Sequence, residues 1–101
     1  MSLTRAERDQ TAREFEANLK QSGLTIYELQ EKSGLPSERF MNAFVVAERG
    51  TDPRDVWLIR DLLETAVVHN GAELVPFSKL TEDARSTAAS WFGIKKVKEF
   101  H

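Results

Sequence analysis

The chain has no cysteine. That excludes a disulfide framework, a thiolate metal site and a cysteine nucleophile. It has two histidines, His69 and His101, with no HxxxH or HExxH spacing and no Asp-rich loop, so no metal ligand set and no cofactor is expected. The five glycines stand singly at expected element ends, and none forms a phosphate-binding run. No apolar stretch approaches the roughly 18–20 residues of a membrane span. The opening segment MSLTRAERDQ lacks the apolar region of a secretory signal. A cytoplasmic protein without a membrane partner is the expectation. The chain also lacks a basic segment before its tail. Residues 24–50 set Lys32, Arg39 and Arg49 against Glu28, Glu31, Glu38 and Glu48, and only Lys95, Lys96 and Lys98 near the C-terminus outnumber their acidic neighbours. A nucleic-acid module usually concentrates positive charge on one face.

What is present fits one small helical domain. The 101 residues are 41% hydrophobic, enough for a single core. Thr4-Arg5-Ala6-Glu7 is a capping box, in which the Thr hydroxyl accepts an orphan helix N–H and the Glu reaches back to the cap. Ala12, Phe15 and Leu19 then recur at helical spacing, which places Arg5, Arg8, Glu14 and Glu16 on the solvent side of a first helix ending at Ser22-Gly23. Thr25-Ile26-Tyr27-Glu28 is a second capping box, with Leu24 and Leu29 as a hydrophobic staple. Gly34 ends that helix. Pro36, tolerated at a first helical position because its missing N–H has no intrahelical partner, starts a third helix. Its buried face is Phe40, Ala43 and Phe44, and Ser37, Glu38, Arg39, Met41 and Asn42 are left outward.

Asp52 as cap, Pro53 at the first turn and Asp55 against the helix dipole announce a fourth helix, ending at His69-Asn70-Gly71. Its apolar stripe is so broad that it is either central or buried against a second chain. Glu73–Phe77 reads as extended because of Pro76. Thr81 to Ala89 reads as a short helix, and Trp91-Phe92 as an apolar pair needing cover. Residues 1–71 thus form a helical core and residues 72–101 an extension packing on that core or on a partner chain.

The stretch Leu24–Phe44 carries the functional signal. Two short helices joined at Ser33-Gly34-Leu35-Pro36 have the shape of a helix-turn-helix, which often sets its second helix in the major groove of DNA. Leu24-Thr25, Glu28-Leu29, Glu31-Lys32-Ser33-Gly34-Leu35 and Phe40 resemble the lambda-repressor-like family of bacterial regulators. That resemblance implies an all-α bundle of four to five helices, with a partly irregular C-terminal extension here, presenting the third helix (about residues 36–46) to DNA. Asn42 has the chemistry to read adenine and Arg39 guanine or phosphate, with Ser37 beside them. Thr25, Lys32, Arg49 and the lysine tail would meet phosphates. Three residues depart from the pattern: Gln30 replaces a small residue, Pro36 a Ser or Thr cap, and Glu38 puts a carboxylate near the expected phosphates.

MSLTRAERDQT, Asp55–Leu63, Val75–Leu80 and Trp91-Phe92 also resemble, in the same order, a small family of bacterial proteins without an assigned function. No functional residue carries over from it.

The expectation is therefore a DNA-binding transcriptional regulator, with a protein-interaction module on the same fold as the alternative. Trp57, Trp91 and Phe92 are candidates for a homodimer interface, since aromatics concentrate at interface cores. An enzyme is not expected. His69 at a helix C-terminus is explained by the dipole, no Ser-His-Asp set can be assembled, and no small-molecule ligand is implied.

Overall fold

A computed structural model describes residues 3–81 and residue 84. The described residues form α1 (Arg5–Ser22), α2 (Ile26–Ser33), α3 (Ser37–Phe44) and α4 (Pro53–His69), with no strand among them. Both capping boxes form. The Thr4 hydroxyl accepts from the Glu7 N–H at 3.2 Å and Glu7 accepts from the Thr4 N–H at 3.0 Å, with the same reciprocal pair at Thr25 and Glu28. Pro36 stands one place earlier than expected. It is the N-cap of α3, extended at ψ 153°, and no side chain caps the helix there.

α4 is the hub. It packs against α1, α2 and α3, and Val56, Trp57, Ile59, Leu62, Leu63, Ala66 and Val67 are buried along it. Trp57 is only 2% exposed and belongs to the core of its own chain, which leaves it little surface to offer a second copy. Phe15 from α1, Leu29 from α2 and Phe40 and Phe44 from α3 complete the cluster.

One charged residue, Glu14, departs from its expected solvent position, and it is one of four charged residues buried among those described. Glu14, Asp55, Arg60 and Asp61 are buried. Two of them hold the segment that follows α4. Residues 72–80 are non-helical and are tied by side chains to α1 and α4. Gln21 donates to the Glu73 carbonyl at 3.1 Å, and Asn18 brackets the backbone of Val75, accepting from its N–H at 2.8 Å and donating to its C=O at 2.9 Å. Glu14 accepts from the N–H and hydroxyl of Ser78 at 3.1 and 2.6 Å, and Arg60 donates to the Leu80 carbonyl at 2.8 Å. Phe77 then inserts edge-on against Phe15, with the Arg60 guanidinium 4.8 Å from its ring centre. Glu14 and Arg60 survive burial because each meets a donor or acceptor that the non-repetitive backbone would otherwise leave open, while Asp55 and Asp61 are paired with arginines. Trp91, Phe92, the Lys95–Lys98 tail and most of the expected Thr81–Ala89 helix lie outside the described residues.

Candidate nucleic-acid interface

The α2–α3 unit is built from its turn outward. Gly34 takes φ +70° and its N–H reaches the Glu31 carbonyl, closing α2. Ser33 then stitches the corner, donating to the Gln30 carbonyl at 2.6 Å and accepting from the Leu35 N–H at 3.1 Å. Gln30 is half-buried and turns its amide toward the Leu35 carbonyl, at 3.5 Å. On α3, Phe40 and Phe44 stack one turn apart at 5.8 Å, and Phe44 meets Phe15 of α1 at 6.1 Å. These contacts fix the rotation of α3 and leave Ser37, Glu38, Arg39 and Met41 exposed.

Arg39 is not a loose cation. Its Nε donates to Asp55 Oδ2 at 3.1 Å and its Nη2 to Asp55 Oδ1 at 2.8 Å, a two-point bridge from α3 to the first turn of α4. The arginine side chain stays 53% exposed while that of Asp55 is 7% exposed. The hydrogen bonds to Asp55, and then its charge, raise the Arg39 pKa above its ordinary value, so the cation is permanent. Nothing local in the sequence marks this pair, which lies sixteen positions apart. Asp55 at a helix start reads simply as a dipole partner.

Asn42 departs from the outward placement expected of an adenine reader. It is half-buried and donates to the Gly50 carbonyl at 3.2 Å, while its own carbonyl accepts from the Thr51 hydroxyl at 3.1 Å. Residue 42 sits on the side of α3 that faces the α3–α4 loop, and the loop uses it as a clip. In that loop Val46 stands at φ +50°. A β-branched residue there costs on the order of 1–2 kcal/mol, offset by burial of a valine side chain worth about 1.5–3 kcal/mol. Val46 is indeed buried in the core.

The remaining candidates are placed as follows. Thr25 caps α2, and the carboxylate of Glu28 already occupies the positive end of that helix. The hydrogen bond from the Thr25 backbone N–H, followed by that from its side chain, holds the Glu28 pKa below its ordinary value. Lys32 is exposed near the end of α2, Ser37 at the start of α3 and Arg49 in the loop. Arg54 is paired with Asp52 at 3.0 Å. Residues 24–55 carry four basic and six acidic side chains, so the region has no excess of positive charge.

A hollow of about 180 Å³ lies beside this unit, lined by Leu3, Arg8, Val46, Ala47, Glu48, Thr51, Pro53 and Val56. Its Arg8 and Thr51 already donate to backbone carbonyls, those of Leu3 and of Asn42 and Ala47. Among the described residues no group of three or more His, Asp or Glu side chains could hold a metal ion, and no helix is long and apolar enough to cross a membrane.

No curated protein and no solved structure matches the chain. Residues 1–93 match a bacterial family whose description is "Uncharacterized protein conserved in bacteria" (DUF2316). The match spans all four helices and the tied segment behind α4, and the chain therefore belongs to this family.

Proposed function

We propose that the protein is a DNA-binding transcriptional regulator with a lambda-repressor-like core that uses α3 as its recognition helix. The observation that carries the reading is Arg39. It stands on the outward face of α3, ahead of the aromatic pair that fixes the helix, and presents a held, exposed guanidinium. Such a group is the commonest reader of a base edge. Lys32 and Arg49 would supply phosphate contacts on either side. A homodimer would set two α3 helices about 34 Å apart, one turn of duplex.

The scarcity of free positive charge sets the expected strength. Lys32, Arg39, Arg49 and Arg54, the cations of this region, should together contribute a log-log salt slope no steeper than about −4 per chain. Non-specific binding should be weak. The test is selection of genomic fragments by the full chain at low and moderate salt. An enriched site, lost in Arg39→Ala with the helical signal intact, supports the reading. No enriched site together with no effect of Arg39→Ala on any binding overturns it.

A second reading has its own observation. Met41 on α3 and Val45 at its C-cap, four positions on, are 40% and 49% exposed. An apolar pair beside Glu38 suits a protein-interaction module that keeps the fold without a DNA face. An empty selection, with protein self-association or partner binding abolished by Met41→Lys, would establish that alternative.

A further inference from the structure

We infer that Asp55 is a specificity-determining positioning residue, holding Arg39 so that its remaining edge selects guanine at one position of the DNA site. The inference rests on the DNA-binding reading and deepens it. A guanidinium has five N–H donors in a rigid plane. Asp55 takes the Nε proton and one Nη2 proton along the side edge. The second Nη2 proton and one Nη1 proton form the end edge, the other Nη1 proton pointing back toward Cδ, and no partner among the described residues occupies that edge. Two parallel donors on that edge match O6 and N7 of guanine in the major groove.

Three features make the carboxylate a support rather than a competitor. First, Asp55 is anchored in the first turn of α4 and is nearly buried, so it does not swing with solvent. Second, it grips the end of a long side chain, so the rotamer freedom that arginine loses on binding has largely been lost beforehand. Third, it offsets the charge of Arg39 without occupying the end edge. Attraction to any phosphate is thereby weakened, while directional bonding to a two-acceptor edge is kept. A cationic helix face would bind all DNA sequences more tightly. A neutralised but oriented fork trades that affinity for discrimination.

The experiment is selection from random-sequence duplexes with the full chain, comparing wild type, Asp55→Asn and Arg39→Lys. Wild type should yield a site with one position preferring guanine by roughly tenfold or more, the range a bidentate pair confers. Asp55→Asn should flatten that position to within about threefold, leave the other positions unchanged, and raise non-specific binding at low salt because a carboxylate is gone. Arg39→Lys keeps the charge but not the fork, and should lose the same preference. A site whose guanine preference persists in Asp55→Asn overturns the inference while leaving DNA binding standing. No wild-type site overturns both.

Should Asp55→Asn fail to fold, nitrogen-15 NMR of the wild-type chain on its site decides. The Arg39 Nε–H should stay on Asp55 while the Nη resonances shift, and breakage of the pair on binding refutes the role.

Discussion

Replacing Asn18 by Ala should release the segment behind α4. Asn18 is fully buried and makes three hydrogen bonds, donating to the Glu14 and Val75 carbonyls and accepting from the Val75 N–H. The amide orientation is internally determined, because a flipped side chain would aim its NH₂ at the Val75 N–H. The substitution strips both backbone groups of Val75 of their partners. Val75 is half-buried, so water can reach it in part. Each lost bond is then worth about 1 kcal/mol rather than the full penalty of an orphaned buried group. The void left by the missing amide adds about 0.5–1 kcal/mol. The sum is about 2–4 kcal/mol, which for a domain of this size lowers the melting temperature by roughly 10–20 °C. Urea melts followed by tryptophan fluorescence give the global value, and hydrogen exchange at the Val75 amide gives the local one. A loss below about 0.5 kcal/mol with the Val75 amide as protected as before would refute the claim that Asn18 holds this segment.

Four further outcomes are expected. Ser78→Ala removes one of the three donors to the buried Glu14 carboxylate, the hydroxyl, and keeps the backbone N–H, so it should cost about 1.5 kcal/mol in a chemical melt. Gly34→Ala should cost about 1 kcal/mol, the backbone term alone, because no atom lies within 4 Å of the added Cβ. Gly50→Ala should cost more, because its Cβ would lie 2.9 Å from Asn42 Nδ2 and the loop clip must shift; a chemical shift change at Asn42 checks it.

The fourth concerns pH. The pKa of Glu7 and of Glu28 is held below the ordinary value of 4.5, chiefly by the backbone N–H of Thr4 and of Thr25. A depressed folded pKa means stability that is fully present above 4.5 and is lost as pH falls below it through the lowered value. Thermal melts between about pH 6 and pH 3 should show that decline, and Glu28→Gln should flatten it.

Local chemistry made the helices legible. Thr4, Thr25 and Asp52 each cap where the short-range pattern places them, and Gly23 and Gly34 end α1 and α2 in the left-handed conformation that glycine tolerates. The buried face of α3 followed from spacing alone, since Phe40, Ala43 and Phe44 recur at helical intervals. Glu14 was misplaced because burial of a charge depends on a partner distant in sequence. Glu14 looks like any solvated helix residue until Ser78, sixty-four positions later, arrives to donate to it. Arg60 finds its partner at Leu80 in the same way. The candidate interface divides likewise. Its outward positions on α3 were readable from helical periodicity, whereas the engagement of Asn42 by Gly50 and of Arg39 by Asp55 depended on how the loop and α4 return to α3.

The sequence by itself determined the all-helical class, the capped helix starts and the buried faces of α3 and α4, because capping, glycine conformation and hydrophobic periodicity act within a few residues; the inward face of α1, where Thr11, Glu14, Asn18 and Ser22 are buried beside Phe15, did not follow from its apolar spacing. Only the tertiary structure decided that α4 is enclosed by its own chain, that four charges are buried, and that the exposed cation of α3 is a fork held from behind. The held fork and the burial of Glu14 rest on contacts between residues sixteen and sixty-four positions apart, where the free energy depends on which polar groups the folded chain leaves unsatisfied.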